Sequence, residues 1–133
     1  MPVGKTRDAG WQIGVSRTLA HPLDRVWTVL VENPDLWLAP GVDPLPAKVG
    51  EPWTGSDGTC GELRSRRDHD RVRLTMRRPA DPHETTVQVT VSPAGAGTIV
   101  RFHQERMRDA DERTSQRTHW QATMDRLGAA LNC

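Results

Sequence analysis

The sequence has no tyrosine, one phenylalanine and two cysteines in 133 residues. Aliphatic side chains are scarce as well. Leu, Ile, Val and Phe together make 25 of the 133, close to the level at which chains stay disordered. Net charge is also lacking: 18 basic against 17 acidic residues leave +1, so the high-charge half of the disorder signature is missing. Five Trp and four Met supply bulk that the aliphatics do not. The expectation is one folded domain with a modest core, partly aromatic and thioether. At this length folding hides roughly two-thirds of the chain's surface without staples.

Other absences narrow the function. No stretch approaches ~20 apolar residues, so no membrane span is expected. The opening "MPVGKTRDAG" has no apolar run and does not read as a signal peptide. Cys60 and Cys133 form no motif and read as thiols in a reducing compartment, which points to the cytoplasm. The five histidines show no His-x-x-x-His spacing and the cysteines no Cys-x-x-Cys, so neither zinc nor any other cofactor is expected. No nucleophile elbow, P-loop or paired-carboxylate spacing is present, and catalysis has no signature. The balanced charge implies no polyanionic partner.

What is present is ordered. Residues 1–9 are polar and read as a flexible N-terminus before a single domain over 10–133. A strand is predicted at about 10–19. "LAHPLDRVWTVL" then places Leu23, Val26, Trp27 and Leu30 on one helical face. Pro22 sits where the first residue tolerates a missing N–H, and Asp24 puts negative charge in the first turn. "NPDLW" at 33–37 reads as a second short helical turn. "APGVDPLPAKVGEPW" follows, with four Pro and two Gly, and is expected to be irregular and mobile over 39–48, a lid in form. Strands are predicted at about 49–54, 60–66, 71–78, 84–92 and 97–107, the first two joined at the Asp-Gly of "SDGT". Val72, Leu74 and Met76 alternate with arginines and Thr75, Val87, Val89 and Val91 with polar residues. Val100, Phe102 and Gln104 oppose Ile99, Arg101 and His103. Such alternation means an antiparallel sheet with one buried face. Asp109 and Glu112 form a capping box for a last helix of about twenty residues. Its inner face runs through Trp120, Met124, Leu127 and Leu131, and backwards through Arg117, Gln116 and Arg113.

The order strand, two short helices, five strands, long helix is an α+β arrangement. A curved sheet with one buried face needs a cover. A straight helix can touch a curved sheet over only part of its length. The first helix plugs one end with Trp27 and Leu30, and the polar half of the long helix leaves the other end partly unfilled.

Four stretches resemble the START-like (SRPBCC) superfamily, in its branch of homologues of the activator of the heat-shock-protein-90 ATPase. "VSRTLAHPLDRVWTVL" is similar to that branch's opening strand and Pro-x-x-x-Val-Trp helix. "GTCGELRSRRDHDRVRLTM" resembles its Gly-x-x-Gly-Glu-Val and Arg-Leu-x-Leu-Thr-Trp strands. "AGAGTIVRFHQERM" resembles its Gly-Gly-Thr strand, and "HWQATMDRLGAAL" stands where it has Gly-Trp-x-x-x-Leu-x-x-Leu. The resemblance covers about Trp11 to Leu131. It implies a helix-grip fold: a curved antiparallel sheet of about six to seven strands around a long C-terminal helix, with two short helices after the first strand. Polyketide cyclases are relatives. Here His119 replaces the usual Gly before Trp120, Met76 stands where Trp is common, and Gln104 where the strand often ends in His. These departures surround the expected cavity, so no relative's ligand is carried over.

The expected function is binding of a small hydrophobic or polycyclic molecule between sheet and helix, for carriage, sequestration or self-resistance. Trp37, Trp53, Met76, Val89, Phe102, Trp120 and Met124 are the candidate walls, and Gln104, Arg113, Gln116 and Arg117 the candidate polar groups. A cavity of at least ~300 Å³ under the first half of the helix is expected. His119 falls at the pocket edge or at the surface; the spacing leaves both open. A second reading is a cyclase or aromatase in which Gln104, Arg117 or His119 orients or protonates a bound chain. A third is a co-chaperone-like interaction module. Asp68-His69-Asp70 reads as a turn rather than an acid–base trio. Arg64, Arg66, Arg71, Arg73, Arg77 and Arg101 read as a solvated outer face neutralised by Glu62, Asp68, Asp70, Glu84 and Glu105, so nucleic acid is not an expected partner. The chain is expected to be a monomer or weak dimer.

Overall fold

A computed structural model describes residues 5–6 and 10–132. Seven antiparallel strands form one sheet in the order β1-β2-β7-β6-β5-β4-β3. In chain order they are β1 (Lys5–Thr6), β2 (Gly10–Leu19), β3 (Pro52–Thr54), β4 (Cys60–Arg67), β5 (Arg71–Arg78), β6 (Asp81–Ala94) and β7 (Gly97–Met107). Helix α1 (Leu23–Glu32) and a 3-10 turn (Pro34–Leu36) follow β2, and α2 (Ala110–Leu131) closes the chain. This is the helix-grip arrangement. The strands from β3 to β7 form a meander, and β2 joins its far side by pairing with β7.

Local chemistry places the ends. Pro22 is the N-cap of α1 rather than its first helical residue, and Asp24 lies in the first turn. Asp109 caps α2 by accepting from Glu112 N at 2.8 Å, and Glu112 reaches back to Arg108 N at 2.8 Å. Each bond satisfies an N–H that the helix start leaves open. The alternating strands bury the expected face: Val72, Leu74, Val87, Val89, Val100 and Phe102 are fully covered. The second short helix is only the 3-10 turn, β3 is shorter than predicted and β6 longer. Of the segment 1–9, Lys5–Thr6 forms β1 against Trp11 and Gly10. The remainder of that segment and Cys133 lie outside the described residues. Cys60 is a free thiol.

The Pro-rich segment differs from its expectation. Ala39, Val42 and Leu45 are buried in the core. Leu45 N donates to Val31 O at 2.9 Å, and Arg66 donates to Pro46 O at 3.0 Å. Apolar residues at every third position, the period of neither a strand nor an α-helix, still find the core when prolines fix the chain direction between them. The segment is therefore pinned at both ends of its run.

Edge strand β3 is held by a bond across its neighbour. The Trp53 indole, 4 % exposed, passes over Gly61 of β4 and donates Nε1 to Thr75 O of β5 at 3.1 Å. A Cβ on Gly61 would stand 1.9 Å from that carbonyl oxygen and 2.8 Å from Nε1. Gly61→Ala is expected to cost about 3 kcal/mol, the upper range for overpacking. Urea melts measure it, and a cost under about 0.5 kcal/mol, the size of an ordinary surface change, would refute this packing.

Candidate functional site

Helix α2 does not sit symmetrically on the sheet. Near its start Arg113 donates to Gln12 O at 2.7 Å, where β2 has a bulge. Asp125 pairs with Arg17 of β2 at 2.7 Å. At its end Leu131 O accepts from Arg25 of α1 at 2.6 Å. These ties draw the helix toward β2 and α1. The side facing β5 is left to other residues.

Beneath the middle of α2 the interior is filled by rings. Trp120 stacks on Phe102 with centroids 4.7 Å apart, and Trp37 tilts against Phe102 at 5.7 Å. Trp37 Nε1 donates to Leu30 O at 2.8 Å. Met124 and Val89 are fully covered in the same core. Beside the rings lies a buried polar cluster. Gln104 Oε1 accepts from Trp120 Nε1 and from Gln116 Nε2, both at 2.9 Å, and Gln104 Nε2 donates to Thr85 Oγ1 at 3.0 Å. Bonds converging on Gln104 in this way fix the rotamers of the side chains that share them.

Toward β5 the helix and sheet part, leaving a cleft of about 230 Å³. Leu38, Ala39 and Pro40 form one wall, and Met76 and Arg78 of β5 the other. Asp57 and Thr59 of the β3–β4 turn close one side; Gln116 and His119 of α2 form the roof. A second cleft of about 270 Å³ shares Leu38, Ala39, Pro40 and His119, and continues along Leu36 and Trp37 to Arg126.

Of the anticipated site residues, Met76 and Gln116 line the first cleft and Trp37 the second. Phe102, Gln104, Trp120, Met124 and Val89 form the packed floor behind them. Trp53 stands apart, beside a separate cleft of about 290 Å³ under the Pro-rich segment. Arg113 is taken up by Gln12, and Arg117 is exposed. Only Gln116 of those three helix residues turns inward to Gln104. A guanidinium without a buried carboxylate stays where water reaches it, whereas an amide can be satisfied by another amide. The cleft residues not anticipated are Leu38, Ala39, Pro40, Asp57, Thr59 and Arg78. They come from the β3–β4 turn, from the last residue of β5 and from a segment with neither helical nor strand period, and only the unusual Pro content of that segment marked it.

His119 belongs to the cleft edge. Its ring meets Trp120 edge-on at 4.7 Å. Burial, reinforced by the charges of Arg126 and Arg78, pushes its pKa down to about 4, with hydrogen bonding to the Trp37 backbone pulling weakly the other way. The ring is therefore neutral at pH 7. Asp57 is held below the usual carboxylate range, chiefly by the Thr59 N–H at 2.9 Å and the Thr59 hydroxyl, with Arg78 adding to the effect.

His119 gives the fold a pH dependence of known sign. Its folded pKa lies below its unfolded value near 6.5, so its contribution is complete above about 6.5 and is lost as pH falls toward 4. His103 is also lowered, mainly by burial, and acts in the same direction. Between pH 7 and 5 the wild type should lose about 1–2 kcal/mol more than His119→Gln. Denaturant melts at both pH values test this, and parallel losses would contradict it.

The arginines are largely neutralised as expected, but Arg66 is not on the outer face: it lies opposite the buried Val72 and donates to Leu45 O and Pro46 O under the Pro-rich segment. Arg64 pairs with Glu62 at 2.8 Å, Arg66 with Asp68 at 2.8 Å, Arg67 with Asp70 at 3.7 Å and Arg77 with Glu84 at 3.2 Å. Arg73 pairs with Glu105. Asp68, His69 and Asp70 form the β4–β5 turn, with His69 in the left-handed region at φ 63°. Among the described residues no helix is long and apolar enough to cross a membrane.

Comparison with solved structures supports the fold. CalU16 from Micromonospora echinospora superposes with a TM-score of 0.79 at 17 % identity, covering 96 % of this chain and 81 % of its own. DynU16, from the dynemicin biosynthetic locus, gives 0.78 at 17 % identity over 91 % of this chain; the chain spans 47 % of DynU16. The Aha1 dimer from Colwellia psychrerythraea gives 0.72 at 16 % identity, covering 90 % of this chain and 95 % of its own. A comparison with curated proteins gives no significant match. The family model described as "Activator of Hsp90 ATPase homolog 1-like protein" matches residues 20–132. With that match over most of its length, and with the helix-grip fold around it, the chain belongs to the family of Activator of Hsp90 ATPase homolog 1-like proteins.

Proposed function

We propose that the protein binds a small hydrophobic molecule in the cleft between α2, β5 and residues 38–40, and that binding itself is its role, as carriage, sequestration or self-resistance. One observation carries the reading: a cleft of about 230 Å³ with an apolar side of Leu38, Ala39, Pro40 and Met76, a rim of Asp57, Thr59 and Arg78, and a roof that holds a nearly buried amide, Gln116. Sites for small ligands are mostly apolar concavities with few, placed polar groups. The structural relative in the dynemicin biosynthetic locus accords with a small-molecule partner. The size favours one or two rings over a larger polycycle, since a cavity of about 150 Å³ accommodates benzene.

The chemistry of His119 favours binding over a cyclase-type reaction. A general base works best with a pKa near the operating pH, and a ring held at about 4 is a weak one. The family's description names an activator of the Hsp90 ATPase. The paired charges of the outer face offer no strong field to a protein partner, which favours the ligand reading over an interaction module. Native mass spectrometry of protein freshly purified from its own host tests the proposal. A bound small molecule released on denaturation is expected. Protein of bare mass that binds Hsp90 instead would overturn the reading.

A further inference from the structure

The roof of the cleft has a fixed hydrogen-bond polarity. Trp120 Nε1 can only donate, so the Gln104 atom it meets at 2.9 Å must be the carbonyl oxygen. That same oxygen is 2.9 Å from the amide of Gln116. Gln116 must therefore present its NH₂ there. The ambiguity that usually attends amide orientation is removed by the indole. The opposite atom, Gln116 Oε1, is then turned away from the cluster. Among the described residues no group donates to it. No fully buried side-chain polar atom is left without a partner, so this oxygen is not sealed in protein. Gln116 is 3 % exposed and lines the cleft. A nearly buried residue thus offers the cleft an acceptor that a ligand can satisfy. Across the opening, Arg78 brings a positive charge.

We propose that the cleft selects a one- or two-ring aromatic acid that carries a hydroxyl donor, with its ring between Met76 and Leu38–Pro40, its hydroxyl donating to Gln116 Oε1 and its carboxylate near Arg78. This rests on the ligand-binding reading and deepens it. Oε1 accepts but cannot donate, so a ketone or ether at the same place would face it lone pair to lone pair. Leaving such an acceptor dry and unpaired is what makes hydroxyl-specific sites selective. The neutral His119 beside it adds no charge, and the two cations near that ring, Arg78 and Arg126, outnumber Asp57, the one carboxylate lining this cleft, so the balance favours an anionic ligand.

Three probes separate the terms in calorimetric titrations of the full chain: 6-hydroxy-2-naphthoate, its methyl ether 6-methoxy-2-naphthoate, and 2-naphthol. The hydroxy acid is expected to bind about tenfold more tightly than the ether, the ratio a single hydrogen bond supplies. 2-Naphthol is expected to be weaker than the hydroxy acid by a similar factor. Gln116→Leu should abolish the preference for hydroxyl over ether, and Arg78→Gln the preference for the carboxylate. Arg78→Gln lies at the rim and keeps the fold available if Gln116→Leu proves unstable. Equal binding of all three probes to the wild type would overturn this inference and leave the cleft reading standing. Binding of none would overturn both.

Discussion

Replacing Trp120 with alanine should remove about 4–5 kcal/mol of stability, the top of the range for an aromatic core residue. Three losses combine. The indole is fully covered, so its whole apolar surface is at stake. Its stack on Phe102 at 4.7 Å disappears, a pair worth about 1 kcal/mol beyond area. Gln104 Oε1 also loses one of its two donors in a dry setting. Against a domain stability of ~5–15 kcal/mol the variant is close to unfolding. Trp120→Phe keeps a ring and loses the N–H, and should cost only about 1–2 kcal/mol. Urea melts of both variants measure the difference. If alanine and phenylalanine cost the same, the ring stack is not the support described.

Trp27→Ala should cost about 3–5 kcal/mol for a different reason. Trp27 is 3 % exposed on the inner face of α1, where Val26 and Leu30 are fully covered. It also steadies a turn distant in sequence. The His69 ring tilts against it at 5.9 Å, and His69 Nε2 lies 3.5 Å from Asp24 of the same helix. His69 holds a left-handed backbone, which a non-glycine residue adopts only at a cost. The variant should therefore lose stability and also exchange the amides of residues 68–70 faster. A loss below about 1 kcal/mol, the average for any point change, would show that α1 is not the plug at this end of the sheet.

The parts of this architecture that repeat with a period were legible in the sequence. β5 and β7 match their predicted spans, because alternation writes itself into neighbouring residues. The Asp109–Glu112 cap and the Asp-Gly turn were legible for the same reason: each is a local bond. The ion pairs were legible where they are local, as in Arg64–Glu62, Arg66–Asp68 and Arg67–Asp70; Arg73–Glu105 and Arg77–Glu84 follow from the alternation of β5 and its neighbours. The candidate site was less visible. Gln104, Gln116 and Trp120 were each marked, but their shared bonds depend on how far α2 lies from β7, which no local pattern encodes. Arg113 and Arg117 flank Gln116 on the helix about 60° and 100° away, which separates a buried amide from a half-buried and an exposed guanidinium. Ala39, Val42 and Leu45 recur every third residue, a spacing that belongs to neither strand nor α-helix, so their burial was hidden inside a segment that reads as a loop. Arg78 reaches the cleft from the last residue of β5 and Thr59 from the β3–β4 turn, where alternation stops informing.

The central claim is that a small apolar ligand enters between α2, β5 and residues 38–40. Titration of the ¹⁵N-labelled protein with 2-naphthoate, followed by amide correlation spectra, tests it most directly. Shifts should concentrate at the amides of residues 38, 39, 57–59, 76–78 and 116–119 and saturate together with one affinity. Shifts centred on the arginine-rich outer face around residues 62–64, 73 and 84, or no saturable shifts at all, would contradict the account.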